Sequence, residues 1–225
     1  MWWNRVIRRF MSSTPETAGS SQALAGLTYY IPMGKGRLEA FSDGVIAILI
    51  TIMVLELKTP QGTDWRALQS TIPTLLLYLL SFIFLGIYWN NHHHMLHTSE
   101  RVNGNILWAN LHLLFWLSLV PFVTTWVGQN QLAPFPTAIY GVVFIMAALA
   151  YTILQHCIIR SQGPRSKLAT AVGRDVKGRV SLALYAVGIA TALSGHPRLA
   201  AGFYVLVTIL WLVPDPRIES KVDRG

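Results

Sequence analysis

Apolar runs and short polar breaks alternate along nearly the whole chain. Six runs can be traced, at roughly 38–57, 70–92, 105–127, 136–158, 179–194 and 198–213. At about 1.5 Å per residue, a helix of about 20 residues crosses a hydrocarbon core of about 30 Å. An open strand edge could not satisfy its backbone in lipid, so each run is expected to be a helix. The breaks carry turn chemistry: Thr59-Pro60-Gln61-Gly62, Gly128-Gln129-Asn130, Pro134-Phe135-Pro136, Gly163-Pro164, Gly195-His196-Pro197 and Pro214-Asp215-Pro216. The pattern predicts an all-α polytopic membrane protein with six transmembrane helices and no internal duplication.

Composition sharpens this. The 225 residues are 52% hydrophobic and only 12% charged, with mean hydropathy +0.43. Soluble domains carry roughly 25% charged residues. Val102 to Ile159 contains no Asp, Glu, Lys or Arg. The net charge of +8 lies in the connectors, which argues for cytoplasmic loops and against nucleic acid as a partner. With an inside N-terminus, 15 Lys and Arg residues fall inside and only Lys58, Arg66 and Arg198 outside, so both termini are expected to be cytoplasmic. Residues 1–36 are expected to form a basic, disordered tail lacking a secretory apolar core, with a transit peptide as the alternative and Met11 as a second possible start. Residues 37–214 form the membrane domain and 215–225 a cytoplasmic tail. The lone Cys157 excludes a disulfide framework.

The first run holds the most informative residues. Gly44–Leu55 is uncharged, but its 12 residues would rise only about 18 Å. A span therefore needs Phe41-Ser42-Asp43 at one end and Glu56 at the other. A carboxylate inside a bilayer is costly and faces a bundle interior or a water path. The alternative is that Ser42-Asp43 caps the helix outside the membrane. At 100° per residue, Arg37, Phe41, Gly44, Ile48, Ile52 and Leu55 share one stripe, while Ser42 and Asp43 face another way. Copies meeting around an axis would make rings of Ile48, Ile52 and Leu55, a constriction able to gate by dewetting. A lipid-facing or packed stripe would look the same, and the pattern leaves both open.

Arg37-x-x-x-Phe41-Ser42-Asp43, with its apolar helix ending Leu55-Glu56-Leu57-Lys58, resembles the bacterial branch of the Transmembrane Protein 175 family of potassium channels. The similarity continues in Gly86-Ile87-Tyr88-Trp89-Asn90-Asn91-His92-His93. It extends through Asn105–Pro121, with Leu107-Trp108 and Ser118-Leu119-Val120-Pro121-Phe122 at family-like positions. It covers the first three runs by motif and the last three by hydropathy alone. The resemblance implies a homotetramer in membrane lipid, with the first helix lining a potassium-permeable, modestly selective cation path and no carbonyl filter. By position it implies Ile48 as main constriction, Ile52 and Leu55 as further rings, and Thr51 as a modulator of selectivity. Arg37, Phe41, Ser42 and Asp43 would join Trp89 and either His92 or His93 in a scaffold holding that helix. The run His92-His93-His94 is richer in histidine than the family pattern, so both partners stay open. A bacterial plasma membrane is the implied location, and the only ion required is the permeant K⁺, with no cofactor.

Other constellations are weaker. His93 and His97 stand at i, i+4, but a His-Glu-x-x-His pattern is absent and no metal site is expected. Asn110 and His112 are expected to find partners across helices, since unpaired polar groups in lipid are penalised. Pro121 is expected to kink the third helix, and Arg160–Arg179 to be a basic, solvated or headgroup-contacting connector. No phosphate loop, Ser-His-Asp set or carboxylate pair suggests an enzyme. The rival readings are a proton-coupled secondary transporter using Asp43, His112 and the histidine cluster, and a His-ligated haem or quinone enzyme.

Overall fold

Proline and glycine punctuate this chain, but the prolines start helices as readily as they end them. The computed structural model describes residues 34–99, 102–163, 166–172 and 175–212. Its helices are α1 (Lys35–Leu55), α2 (Trp65–His97), α3 (Gly104–Ser118), α4 (Val120–Gln129), α5 (Pro134–Gln162), α6 (Lys167–Val172), α7 (Val176–Leu193) and α8 (Pro197–Leu212). Among the described residues there is no strand. The tails expected at 1–36 and 215–225 lie outside the described residues, except that Gly34 caps α1 and Lys35 and Gly36 open it.

Helix starts have local causes. Asp64, Asn103 and Asp175 each accept from a backbone N–H three residues on, at 2.9, 3.0 and 2.8 Å, satisfying a donor that a first turn leaves free. Pro134 opens α5 and Pro197 opens α8, where a missing N–H costs nothing. Pro134-Phe135-Pro136 is therefore the first turn of a helix and not a break. Gly163, at φ 90°, ends α5 in the left-handed region that favours glycine.

Five helical stretches are long and apolar enough to cross a membrane: Lys35–Leu55, Trp65–His97, Gly104–Gln129, Pro134–Gln162 and Val176–Leu193. Pro197–Leu212 is apolar but shorter. The first stretch differs from expectation at its outer end. The helix reaches back to Lys35, so its 21 residues rise about 31 Å without Glu56, which becomes the C-cap. The third run is broken at Leu119, between α3 and α4, with Pro121 in the first turn of α4. Proline has no N–H for the carbonyl one turn back, and this accounts for the interruption. The basic connector contains the short helix α6, held by buried Leu168. Its six residues are too few to show a helical period in the sequence.

Helix α5 packs against α3, α4, α7 and α8, while α7 and α8 pair closely. Phe84 of α2 and Phe144 of α5 stack with centroids 3.7 Å apart and planes 5° apart. Tyr204 of α8 fills the gap that Gly141 and Gly188 leave. A Cβ at Gly188 would sit 2.5 Å from its ring, and one at Gly141 would collide with its hydroxyl. That hydroxyl donates to the Thr137 carbonyl at 3.2 Å. A second chain of hydroxyls has a defined direction. Thr124 donates to the Val120 carbonyl and so accepts from Ser81, leaving Ser81 to accept from Tyr140. These contacts make the α2–α4–α5–α8 side a rigid wall, against which α1 leans through α2, α3 and α4.

The candidate pore helix and its anchoring network

Helix α1 has two unlike faces. Leu38, Ser42, Ile46, Leu49 and Met53 recur at three- and four-residue spacing and are buried against the protomer. The opposite face carries Phe41, Gly44, Ile48, Ile52 and Leu55, all exposed, with Ile48 at 57% and Leu55 at 81%. These are the stripe positions that the 100° spacing singled out. Thr51 is also exposed, and its hydroxyl donates to the Ile48 carbonyl at 2.9 Å. It is thus committed to its own backbone and presents an oxygen lone pair outward.

What holds the buried face is a polar network of fixed direction. The Ser42 hydroxyl donates to the Leu38 carbonyl at 2.8 Å, so its oxygen accepts from Asn110 Nδ2 at 2.9 Å. This orients the amide and places Asn110 Oδ1 2.7 Å from His92 Nε2. An amide oxygen only accepts, so His92 carries its proton on Nε2. Ser42, Asn110 and His92 are all buried to within 1% of complete. One asparagine therefore joins α1, α2 and α3. In a membrane such interhelical bonds contribute about 0.6 kcal/mol each on average.

Two further bonds tie α1 to α2. Trp89 Nε1 donates to Asp43 Oδ1 at 3.0 Å. Asp43 is the ninth residue of the helix, so it is not the helix cap. Lys35 Nζ donates to the His97 carbonyl at 2.6 Å, placing a cation at the C-terminal end of α2 where the helix dipole favours one.

Of the seven proposed scaffold residues, Ser42 and His92 are in the Asn110 network, and Asp43 and Trp89 form a separate bond between α1 and α2. His93 is exposed, its ring stacked 6.2 Å from Trp89 and 6.1 Å from His97. Arg37 and Phe41 are exposed on the Ile48 side and touch none of these polar groups in the protomer. Asn110 was expected only to seek some partner across helices, and it is the hub. Lys35 lies in the stretch expected to be a basic tail, and here it bonds the end of α2. His112 differs from expectation: its Nε2 accepts from Trp116 Nε1 at 2.9 Å, one turn along the same helix. An indole at i+4 satisfies it locally, so it joins neither the Asn110 network nor the Asp43–Trp89 pair. Among the described residues no three His, Cys, Asp or Glu side chains converge as metal ligands.

Residues 37–121 match the family described as endosomal/lysosomal potassium channel TMEM175. The chain is 56% identical over 193 residues to a potassium channel of Chryseobacterium sp., covering 86% of this chain and 100% of that relative. It is 35% identical over 135 residues to a potassium channel of Streptomyces collinus, covering 56% of this chain and 66% of the relative. The crystal structure of a lysosomal potassium-selective channel TMEM175 homolog from Chamaesiphon minutus superposes with a TM-score of 0.68 at 28% identity. That match covers 80% of this chain and 96% of the other.

Proposed function

This chain belongs to the TMEM175 family of potassium channels, and from that membership we propose that it is a potassium-permeable, modestly selective cation channel. Four copies surround one axis, each with six membrane crossings, the sixth being Pro197–Leu212. Helix α1 of each copy lines the path. Ile48 forms the main constriction, Ile52 and Leu55 form rings one and two turns outward, and Thr51 adjusts selectivity. Ser42, Asp43, Trp89 and His92, with Arg37, Phe41 and His93 beside them, hold the helix in position and do not ligate ions. The protein resides in a bacterial plasma membrane with both termini inside, and needs no cofactor beyond the permeant K⁺.

One observation carries this reading. The exposed stripe of α1 lies opposite a face that three helices and a closed polar network hold in place. Other helices are tied by interhelical hydrogen bonds as well, but α1 is the one whose free face carries the stripe that matches the family's pore positions. A pore wall needs such an anchor, since a small rotation would change the ring that ions meet. Selectivity then follows from hydration. K⁺ holds its water less tightly than Na⁺, so squeezing through an apolar ring costs it less. Without a cage of carbonyls to replace that water, the preference stays modest.

The purified protein in liposomes loaded with K⁺ should pass K⁺ faster than Na⁺, with flux that rises without saturating as K⁺ is increased. Saturable, proton-coupled uptake would favour the transporter reading and contradict this one.

A further inference from the structure

A crevice of about 490 Å³ opens between the end of α1, the start of α2, and α4. This lies within the range of ligand pockets, about 300–1,000 Å³. Met53, Leu68 and Leu75 form part of its apolar wall. Its polar groups are unusual for this protein. Helical hydroxyls here are almost all spent within the protein, as Ser70, Thr71 and Thr124 are on carbonyls one turn back. Among the described helical serines and threonines the two exceptions are Thr74 and Thr125, and both line this crevice. The hydroxyl of Tyr78 is likewise without a hydrogen bond in the protein. Glu56 and Lys58 also line it, with Thr59 and Gln129; the charged pair is exposed beyond the end of α1 and together net neutral.

The level in the membrane matters too. Helix α1 ends at Leu55, and α2 begins at Trp65, which is 67% exposed. Exposed tryptophan at a helix end marks the headgroup region. A ligand there meets free hydroxyl donors, a lysine, a carboxylate and apolar side chains.

We propose that this crevice holds the headgroup of a zwitterionic phospholipid. Its phosphate and ester oxygens accept from Thr74, Thr125, Tyr78 and Lys58, and its ammonium faces Glu56. The neutral Glu56–Lys58 pair selects a zwitterion over an anionic lipid. The inference requires that these helices lie in a membrane, but not that they conduct ions, so its failure and that of the channel reading are separable.

The test is lipid retention by native mass spectrometry, after delipidation and exposure to equal phosphatidylethanolamine and phosphatidylglycerol. One phosphatidylethanolamine per protomer is expected. Thr74→Val with Thr125→Val should lower its retention about tenfold, since two hydrogen bonds to the lipid are lost. Those hydroxyls bond nothing in the protein, so melting should not change. Glu56→Gln, at an exposed site past the helix, should abolish the preference between the two lipids. Unchanged retention in the double variant, or unchanged preference in Glu56→Gln, overturns the proposal. So does altered subunit assembly with no change in bound lipid, which would assign the crevice to a second copy of the chain.

Discussion

Ile48→Asn should raise K⁺ flux on the order of tenfold and bring K⁺ and Na⁺ flux close to equality. Ile48 is 57% exposed on the free face of α1, so asparagine can replace it without disturbing the protomer's packing. In the proposed ring of four, an amide would hydrate the constriction and lower its dewetting barrier. Lowering that barrier by about 1.4 kcal/mol multiplies flux about tenfold. Discrimination falls with it, because a hydrated ring no longer strips water and Na⁺ loses its handicap. Liposome flux measured for both ions at matched protein density checks both effects. Unchanged flux would place the constriction elsewhere.

Asn110→Leu should destabilise the fold by about 2–4 kcal/mol. The His92 Nε2–H, 1% exposed, would be left without its acceptor. A stranded buried donor costs about 1–3 kcal/mol, and lost interhelical bonds add about 0.6 kcal/mol each. Ser42 suffers less, because its own proton already goes to Leu38. For a chain of this size each kcal/mol lowers Tm by about 2–4 °C. Melting in detergent should therefore fall by about 4–16 °C, and the yield of assembled oligomer with it. Pairing the change with His92→Leu should recover part of the loss, since removing both polar partners costs less than removing one. A single variant as stable as the parent would deny Asn110 its place as hub.

The contrast between these residues shows what a single chain can disclose. The Ile48 stripe was legible because helical periodicity is a local property, and the structure exposes every position of it. The apolar runs were legible because hydropathy is local too; five of them are helical stretches long enough to cross a membrane, and their ends shifted by several residues. Caps at Asp64 and Asn103 and opening prolines set those ends, and an apolar run does not record where a cap takes effect. Partner choice was not legible. Asn110 lies 68 residues from Ser42 and 18 from His92, and no local pattern couples them. Adjacent histidines differ by 100° around α2. Only the orientation of that helix against α3 decides that His92 is buried while His93 is exposed. His112 misled for the opposite reason: its partner was one turn away, in plain sequence, and a longer reach was expected of it.

Subunit arrangement is the property furthest from local pattern, because an exposed apolar stripe suits both lipid and a shared axis. Coordinates of the assembled protein in a lipid nanodisc decide between them. Four protomers are expected, with the Ile48 side chains nearest the axis and the α1 stripe enclosing the conduit. Ile48 facing acyl chains on the perimeter would contradict this arrangement.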